Sequence, residues 1–411
     1  MNLTKSHSYR DFILVLLLVF VSGVPAIRSW LGQYVFIYAF VAIIPFIKYK
    51  YFVGKTNQFI LWIVFSAVVF IAHYFTLSAV SLLADLNYLL RIIVAFCVVA
   101  IVGDKFIKTY VKVIYVICIL SLVFWLFMNI IGIKIGFNVD DFYKSVLVYN
   151  TTEGSFRNSG PFWEPGAFQG YINLALLFLV ADLNNTLKYA KNYFFVFVVT
   201  ILTTQSTTGF LVTGIIAIYV LLKMRTGATS KILWTTILIG GIIYMFQLDF
   251  MGDKLTEQYE AFTYTSYSDL RIDHGRFTSM IINWHYIEKH PLFGNGLLLE
   301  TRYADDIGLM EVVGFGNGFT DFIANMGILY ALLYFISIFK RATSIKVYQC
   351  FFVGVVILLL QGECFMNYPL FFTLVFLEGS MFYRNYYKGS LEPSLKRKTV
   401  SLNRQGELLS C

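Results

Sequence analysis

Apolar residues dominate the chain in long uninterrupted runs, broken by short polar segments. The runs fall at about 12–27, 30–47, 57–77, 88–103, 110–133, 166–182, 192–206, 208–223, 231–248, 318–339, 346–364 and 368–384. Each is about the length of the roughly 20 apolar residues that an α-helix needs to cross a bilayer. Strict alternation, the mark of a membrane β-barrel, is missing. The pattern predicts an all-α polytopic membrane protein of about 12 transmembrane helices, a single integral membrane domain over 1–411. The pair 192–206 and 208–223 has Thr203 to Gly209 (TTQSTTG) as its turn signal. Lys188, Lys191, Lys223 and Arg225 flank it on both sides, which favours a tight hairpin over one long helix.

Composition agrees. Of 411 residues, 58% are hydrophobic and only 14% charged, against about 25% charged in soluble domains. An ordinary soluble enzyme and a disordered chain are both excluded. The five cysteines are scattered without a CxxC, so neither a disulfide framework nor a metal site is expected.

The net charge of +8 raises the question of where the positive charge sits. With the N-terminus inside, 22 of the 32 Lys and Arg residues fall in cytoplasmic segments. Such asymmetry orients membrane helices, and it accounts for the basic balance without nucleic acid. Both termini are expected in the cytoplasm, with 385–411 as a cytoplasmic tail. The N-terminal run reads as a first helix, since no small-residue cleavage site follows it.

Two outward segments are long, 134–165 and 249–317, and they are expected to form two long periplasmic loops. Loops of this length are usually functional or disordered, and these are too rich in aromatic and apolar residues for disorder. The first ends in Gly154-Ser-Phe-Arg-Asn-Ser-Gly-Pro-Phe-Trp-Glu-Pro-Gly166. Arg157 and Glu164 are its ionisable candidates, and Trp163 suits the interface or a sugar face. An equally simple reading is a structured turn with Arg157 paired to Glu164.

The second segment contains an amphipathic pattern from about 277 to 289. Phe277, Met280, Ile281, Trp284 and Ile287 recur at helical spacing, and Pro291 and Gly294-Asn-Gly296 close the helix. Arg276 stands at its start and Arg271 one to two turns earlier. A guanidinium matches phosphate oxygens in a fork, and a helix N-terminus adds N–H donors. The alternative is ion pairing with Asp269 or Asp273. From 249 to 317 there are five basic and eleven acidic residues, a net of −6, so an anion site here must rest on a few placed arginines. His274, His285 and His290 are possible acid–base groups, although His290 also suits hydrogen bonding to the Pro-Gly turn. Within the apolar runs, Arg91, Asp321 and Glu363 lie near the outer surface, with Asp85 just above it, where ionisable groups are functional suspects or pair between helices. His73 reads as polar packing.

These strings resemble a known superfamily. Gly275-Arg276 through Trp284 to His290-Pro-Leu-Phe-Gly-Asn-Gly296, then Asn317 to Gly327 opening a helix, is similar to the O-antigen ligase/polymerase superfamily. Arg157-Asn-Ser-Gly-Pro-Phe-Trp-Glu-Pro-Gly166 is similar to its Wzy-type O-antigen polymerases. Ligases of the superfamily usually carry a His-Asn pair where this chain has Gly316-Asn317. The resemblance implies a GT-C-like glycosyltransferase in the bacterial inner membrane, acting on undecaprenyl-diphosphate-linked glycans without metal or cofactor. A growing chain would pass from its lipid diphosphate to a new lipid-linked repeat unit. Arg157, Arg276 and Glu164 would be catalytic, with Arg271, Arg91, His290, Trp163 and Asn317 binding substrate. A chain-length regulator and a flippase would be partners. The competing readings are a ligase that joins polysaccharide to lipid A core, and a lipid-linked oligosaccharide transporter.

Overall fold

The computed structural model describes residues 3–25, 56–133, 136–139, 142–145, 147–149, 156–183, 190–223, 276–298, 302, 316–341 and 346–378, with isolated positions between 227 and 260. In chain order the helices are α1 (Leu3–Val21), α2 (Thr56–Thr76), α3 (Leu82–Val102), α4 (Phe106–Leu126), α5 (Pro165–Val180), α6 (Lys191–Thr204), α7 (Thr207–Lys223), α8 (Arg276–Lys289), α9 (Gly318–Arg341) and α10 (Lys346–Gly362). One antiparallel hairpin, β1 (Gly136–Val139) with β2 (Phe142–Ser145), lies in the first long segment.

Three helical stretches, Asn57–Thr76, Leu82–Ile131 and Gly318–Arg341, are long and apolar enough to cross a membrane, and several apolar helices are shorter. The described helices do not reach twelve spans. The expected helix at 30–47 lies outside the described residues, as does most of 231–248. Lipid-facing character is plain on α2, where Ile60, Leu61, Val64, Val68 and Ile71 recur at helical spacing and are exposed. By contrast α5 is buried along its whole length. It forms the centre of the bundle, with α4, α6, α7 and α10 packed around it. Tyrosines fasten it there: the Tyr110 hydroxyl donates to Tyr171 O at 2.9 Å and the Tyr348 hydroxyl to Leu177 O at 2.6 Å.

α6 and α7 form the tight hairpin, turning at Gln205, whose φ is 48°. The run at 368–384 departs from expectation. With the turn just before it, Phe365–Asn367, its described part is a chain of short turns, Pro369–Phe372 and Thr373–Phe376, which ends extended at Leu377. A continuous helix is unnecessary because side chains satisfy the broken backbone. The Tyr334 hydroxyl donates to Phe371 O at 2.8 Å, Gln58 Nε2 donates to Val375 O, and Leu370 N–H donates to Ser22 Oγ at 3.1 Å. Irregular backbone at membrane depth is tolerated where protein buries it, and Phe365 through Leu377 is mostly buried here.

α9 is also broken, at Gly327 (φ 82°, ψ 165°). The turn after α8 plugs the break. Asn295 N–H donates to Ala324 O at 2.8 Å and Gly296 N–H to Asn325 O at 3.1 Å. On the other side, Pro291 O accepts from Ile328 N–H at 2.9 Å. The turn thus supplies donors and acceptors that an unbroken helix would supply to itself. Gly294, with φ 84°, lies so close to Asn325 that a Cβ would strike its carbonyl. Asn295 adds side-chain bonds from Nδ2 to Tyr286 O (2.9 Å) and Ala324 O (3.0 Å). Asn295→Ala is expected to cost about 1–3 kcal/mol, read as a lower thermal unfolding midpoint of the detergent-solubilised protein. An unchanged midpoint would remove the turn from the stability account.

α8 packs on α9 along one face. Thr278, Ser279, Ile282, Asn283, Tyr286 and Ile287 are buried, whereas Trp284 is exposed and Phe277, Met280 and Ile281 are half-buried. Hydrogen bonds decide the rotation. Ser279 Oγ accepts from Gly316 N–H at 3.1 Å, and Asn283 Nδ2 donates to Thr320 Oγ1 at 3.0 Å. Of the apolar stripe, Ile287 joins the buried face, Phe277, Met280 and Ile281 lie at its margin, and Trp284 faces outward, where it suits a bilayer interface.

Candidate active site where the two long segments meet

The site assembles at one end of the bundle, where α5, α7, α8 and α9 begin and α6 and α10 end. The segment before α5 is pinned first. Asn158 N–H donates to Thr203 O at 2.9 Å, and its Nδ2 donates to Thr203 Oγ1 at 3.0 Å. Its Oδ1 accepts from Gly160 N–H at 2.9 Å. One asparagine therefore ties the strand of chain carrying Arg157 to the α6–α7 turn. Arg157 Nε donates to Thr204 O at 3.3 Å, which satisfies one of the carbonyls orphaned at the end of α6. Pro165 at the first position of α5 starts that helix immediately after Glu164.

Arg276, the first residue of α8, reaches the same place. Its Nη1 donates to Thr208 Oγ1 at 2.7 Å, and its Nη2 lies 3.7 Å from Glu363 Oε1. Glu363 sits in the turn that ends α10 and is only 7% exposed. Its Oε2 accepts from Trp163 Nε1 at 3.2 Å, and its Oε1 borders the same small space at Gly166 as Glu164 Oε1. Trp163 is itself stacked on Tyr368, with ring centroids 5.1 Å apart. Gly318 makes the approach possible, because a Cβ there would overlap the Glu363 carbonyl and Cys364.

Two guanidiniums and two carboxyls from three separate parts of the chain thus form one half-buried cluster. Burial lowers the pKa of Arg157 from its usual value; Glu164 opposes this, Arg276 adds to it and Glu363 opposes it. Burial pushes the Glu363 carboxyl well above the usual carboxylate range. The Glu164 carboxylate and its hydrogen bond push it further, while Arg276 and the Trp163 N–H pull it down. Arranged this way, the arginines can stabilise a departing anion without moving at the moment of reaction.

The remaining expected residues are placed as follows. Arg271 lies outside the described residues. Arg91 is in a different setting, with its guanidinium 5.6 Å from the centroid of the Tyr88 ring. Tyr88 in turn packs edge-on against Tyr330 and Phe372. His290 takes part in the turn through its main chain, its carbonyl accepting from Gly294 N–H at 2.9 Å. Asn317 is buried, and its Oδ1 caps α9 by accepting from Thr320 N–H at 3.1 Å.

Sequence reasoning missed Thr208, which it read only as part of a turn, and gave Glu363 no part in the site. It also missed Arg302, whose Nη1 donates to Asp321 Oδ1 at 2.6 Å and Asn325 Oδ1 at 2.7 Å. Among the described residues no group of three or more His, Cys, Asp or Glu side chains is placed to hold a metal ion.

No curated protein matches the chain. The model of a known family, described as O-antigen ligase, matches residues 193–335. That segment runs from α6 through α9 and includes Thr208 and Arg276, and the match bears out the chain's resemblance to the O-antigen ligase/polymerase superfamily.

Proposed function

We propose that the protein polymerises undecaprenyl-diphosphate-linked O-antigen repeat units at the periplasmic face of the bacterial inner membrane. The reading rests above all on one observation: Arg157 and Arg276, from the two long segments, converge on one cluster with Glu164 and Glu363. In the transfer, an acceptor sugar hydroxyl forms a bond to the anomeric carbon of the donor chain. The bond from that carbon to the lipid diphosphate breaks, and the electron pair leaves with the diphosphate. Arg157 and Arg276 receive the charge that develops there. Glu164 takes the hydroxyl proton, and Trp163 offers an aromatic face to a sugar ring. Apolar grooves hold the polyprenyl tail, a GT-C-like arrangement, and a chain-length regulator and flippase supply and regulate the site.

The ligase reading keeps one specific support, the description of the matching family. A deletion strain separates the two. Loss of a polymerase leaves core carrying one repeat unit, and loss of a ligase leaves bare core. Core plus one repeat is the expected result; bare core would overturn the polymerase reading.

A further inference from the structure

Glu363 Oε1 is buried, and among the described residues no hydrogen-bond donor reaches it. Arg276 Nη2, at 3.7 Å, is beyond hydrogen-bonding distance. What does face this oxygen is another carboxyl. A Cβ built on Gly166 would lie against both Glu363 Oε1 and Glu164 Oε1, so the two oxygens border the same small space. Two carboxylates are acceptors only, and neither satisfies the other unless one carries a proton. The other Glu363 oxygen already has its donor in Trp163 Nε1, at 3.2 Å. The proton belongs between these two oxygens, and of the two carboxyls Glu363 is buried whereas Glu164 is half-buried, which favours Glu363 as the neutral one.

We infer that Glu363 is a positioning residue that stands protonated beside Glu164 and donates from Oε1 to the Glu164 carboxylate, holding it aimed as the proton acceptor of the reaction. Charge supports the assignment. The groups facing Glu363 are Glu164, Arg157, Arg276, Trp163 and Cys364. With Glu363 neutral, the two arginines and one carboxylate leave the cluster at +1, suited to a diphosphate. With Glu363 ionised the cluster would be neutral. The burial and neighbouring charge that push its carboxyl upward act in the same direction. During transfer, the acceptor hydroxyl proton moves to Glu164, so that the pair briefly holds two protons. One then returns to solvent as product leaves.

The role in transfer rests on the polymerase reading, but the proton does not, and the test separates them. Infrared spectra of the purified full-length protein, wild type against Glu363→Gln, should differ by the carbonyl band of one protonated carboxyl at neutral pH. A difference in carboxylate bands instead would overturn the proposal, whatever the protein catalyses. If the variant fails to accumulate, pH titration of the wild type serves in its place. A protonated-carboxyl band must persist above the usual carboxylate range and bleach as pH rises further; its absence at neutral pH would overturn the proposal. In cells, glutamine can donate to Glu164 and accept from Trp163, so Glu363→Gln should retain polymer length, whereas Glu363→Leu should shorten it at equal protein levels. Loss of polymer in Glu363→Gln together with an intact infrared assignment would remove the role in transfer and leave the proton.

Discussion

Arg276→Ala is expected to lower the rate of polymer extension about 10²–10³-fold, the usual consequence of removing one fixed charge-stabilising donor from a preorganised site. The readout is the lipopolysaccharide ladder of a complemented deletion strain, with protein level checked alongside. Long ladders surviving at normal protein level would end the clamp idea. Lysine should rescue poorly. The guanidinium spans Thr208 on one nitrogen and the Glu363 side on the other, and a single ammonium cannot hold both positions. A simpler role for Arg276 would be to neutralise Glu363. The double variant Arg276→Ala/Glu363→Gln decides between the two. If Arg276 serves only its carboxyl neighbour, removing that neighbour's charge restores the ladder. If Arg276 meets the departing diphosphate, the double variant stays as defective as Arg276→Ala.

The membrane character of the chain was written in its hydropathy, because a long apolar run has few ways to satisfy its backbone other than a helix. The chemistry was legible only in part. Arg157, Glu164 and Arg276 stood out because glycine, proline and helix-start signals surround them. Glu363 carried no comparable signal. Its partners, Trp163, Glu164 and Arg276, are far away in sequence, and only the packing of α10 against α9 at Gly318 brings it among them. Which face of α8 meets protein was not legible, for a physical reason. Periodicity reports where apolar side chains cluster, and in a soluble protein that face is the buried one. On α8 the face that meets protein mixes Ile282, Tyr286 and Ile287 with Ser279 and Asn283, whose hydrogen bonds fix the helix's rotation. The strings 290–296 and 317–327 were read as two motifs. They are one structural unit, since the turn of the first fills the break in the helix of the second.

Arg302 provides the second large effect, on folding rather than on chemistry. Its side chain is 2% exposed and that of Asp321 is 11% exposed, with 2.6 Å between Nη1 and Oδ1. Asn325 completes a closed set, its Oδ1 accepting from Arg302 at 2.7 Å and its Nδ2 donating to Asp321 Oδ2 at 3.1 Å. Asp321 lies in the first turn of α9, where the helix dipole favours an acidic side chain, and Asn325 lies beside the break at Gly327. The set therefore braces the half-helix against which α8 is packed. Arg302→Met would leave the Asp321 carboxylate buried beside one amide, and breaking a buried pair from one side costs about 3–5 kcal/mol. The expected result is a strong loss of folded protein and a lowered unfolding midpoint in detergent. Arg302→Met/Asp321→Leu should recover most of that loss, because removing both charges together leaves no uncompensated ion. The coupling from the double-mutant cycle measures the pair itself. A double variant no more stable than Arg302→Met would show that Arg302 holds the fold through its packing and not through its charge.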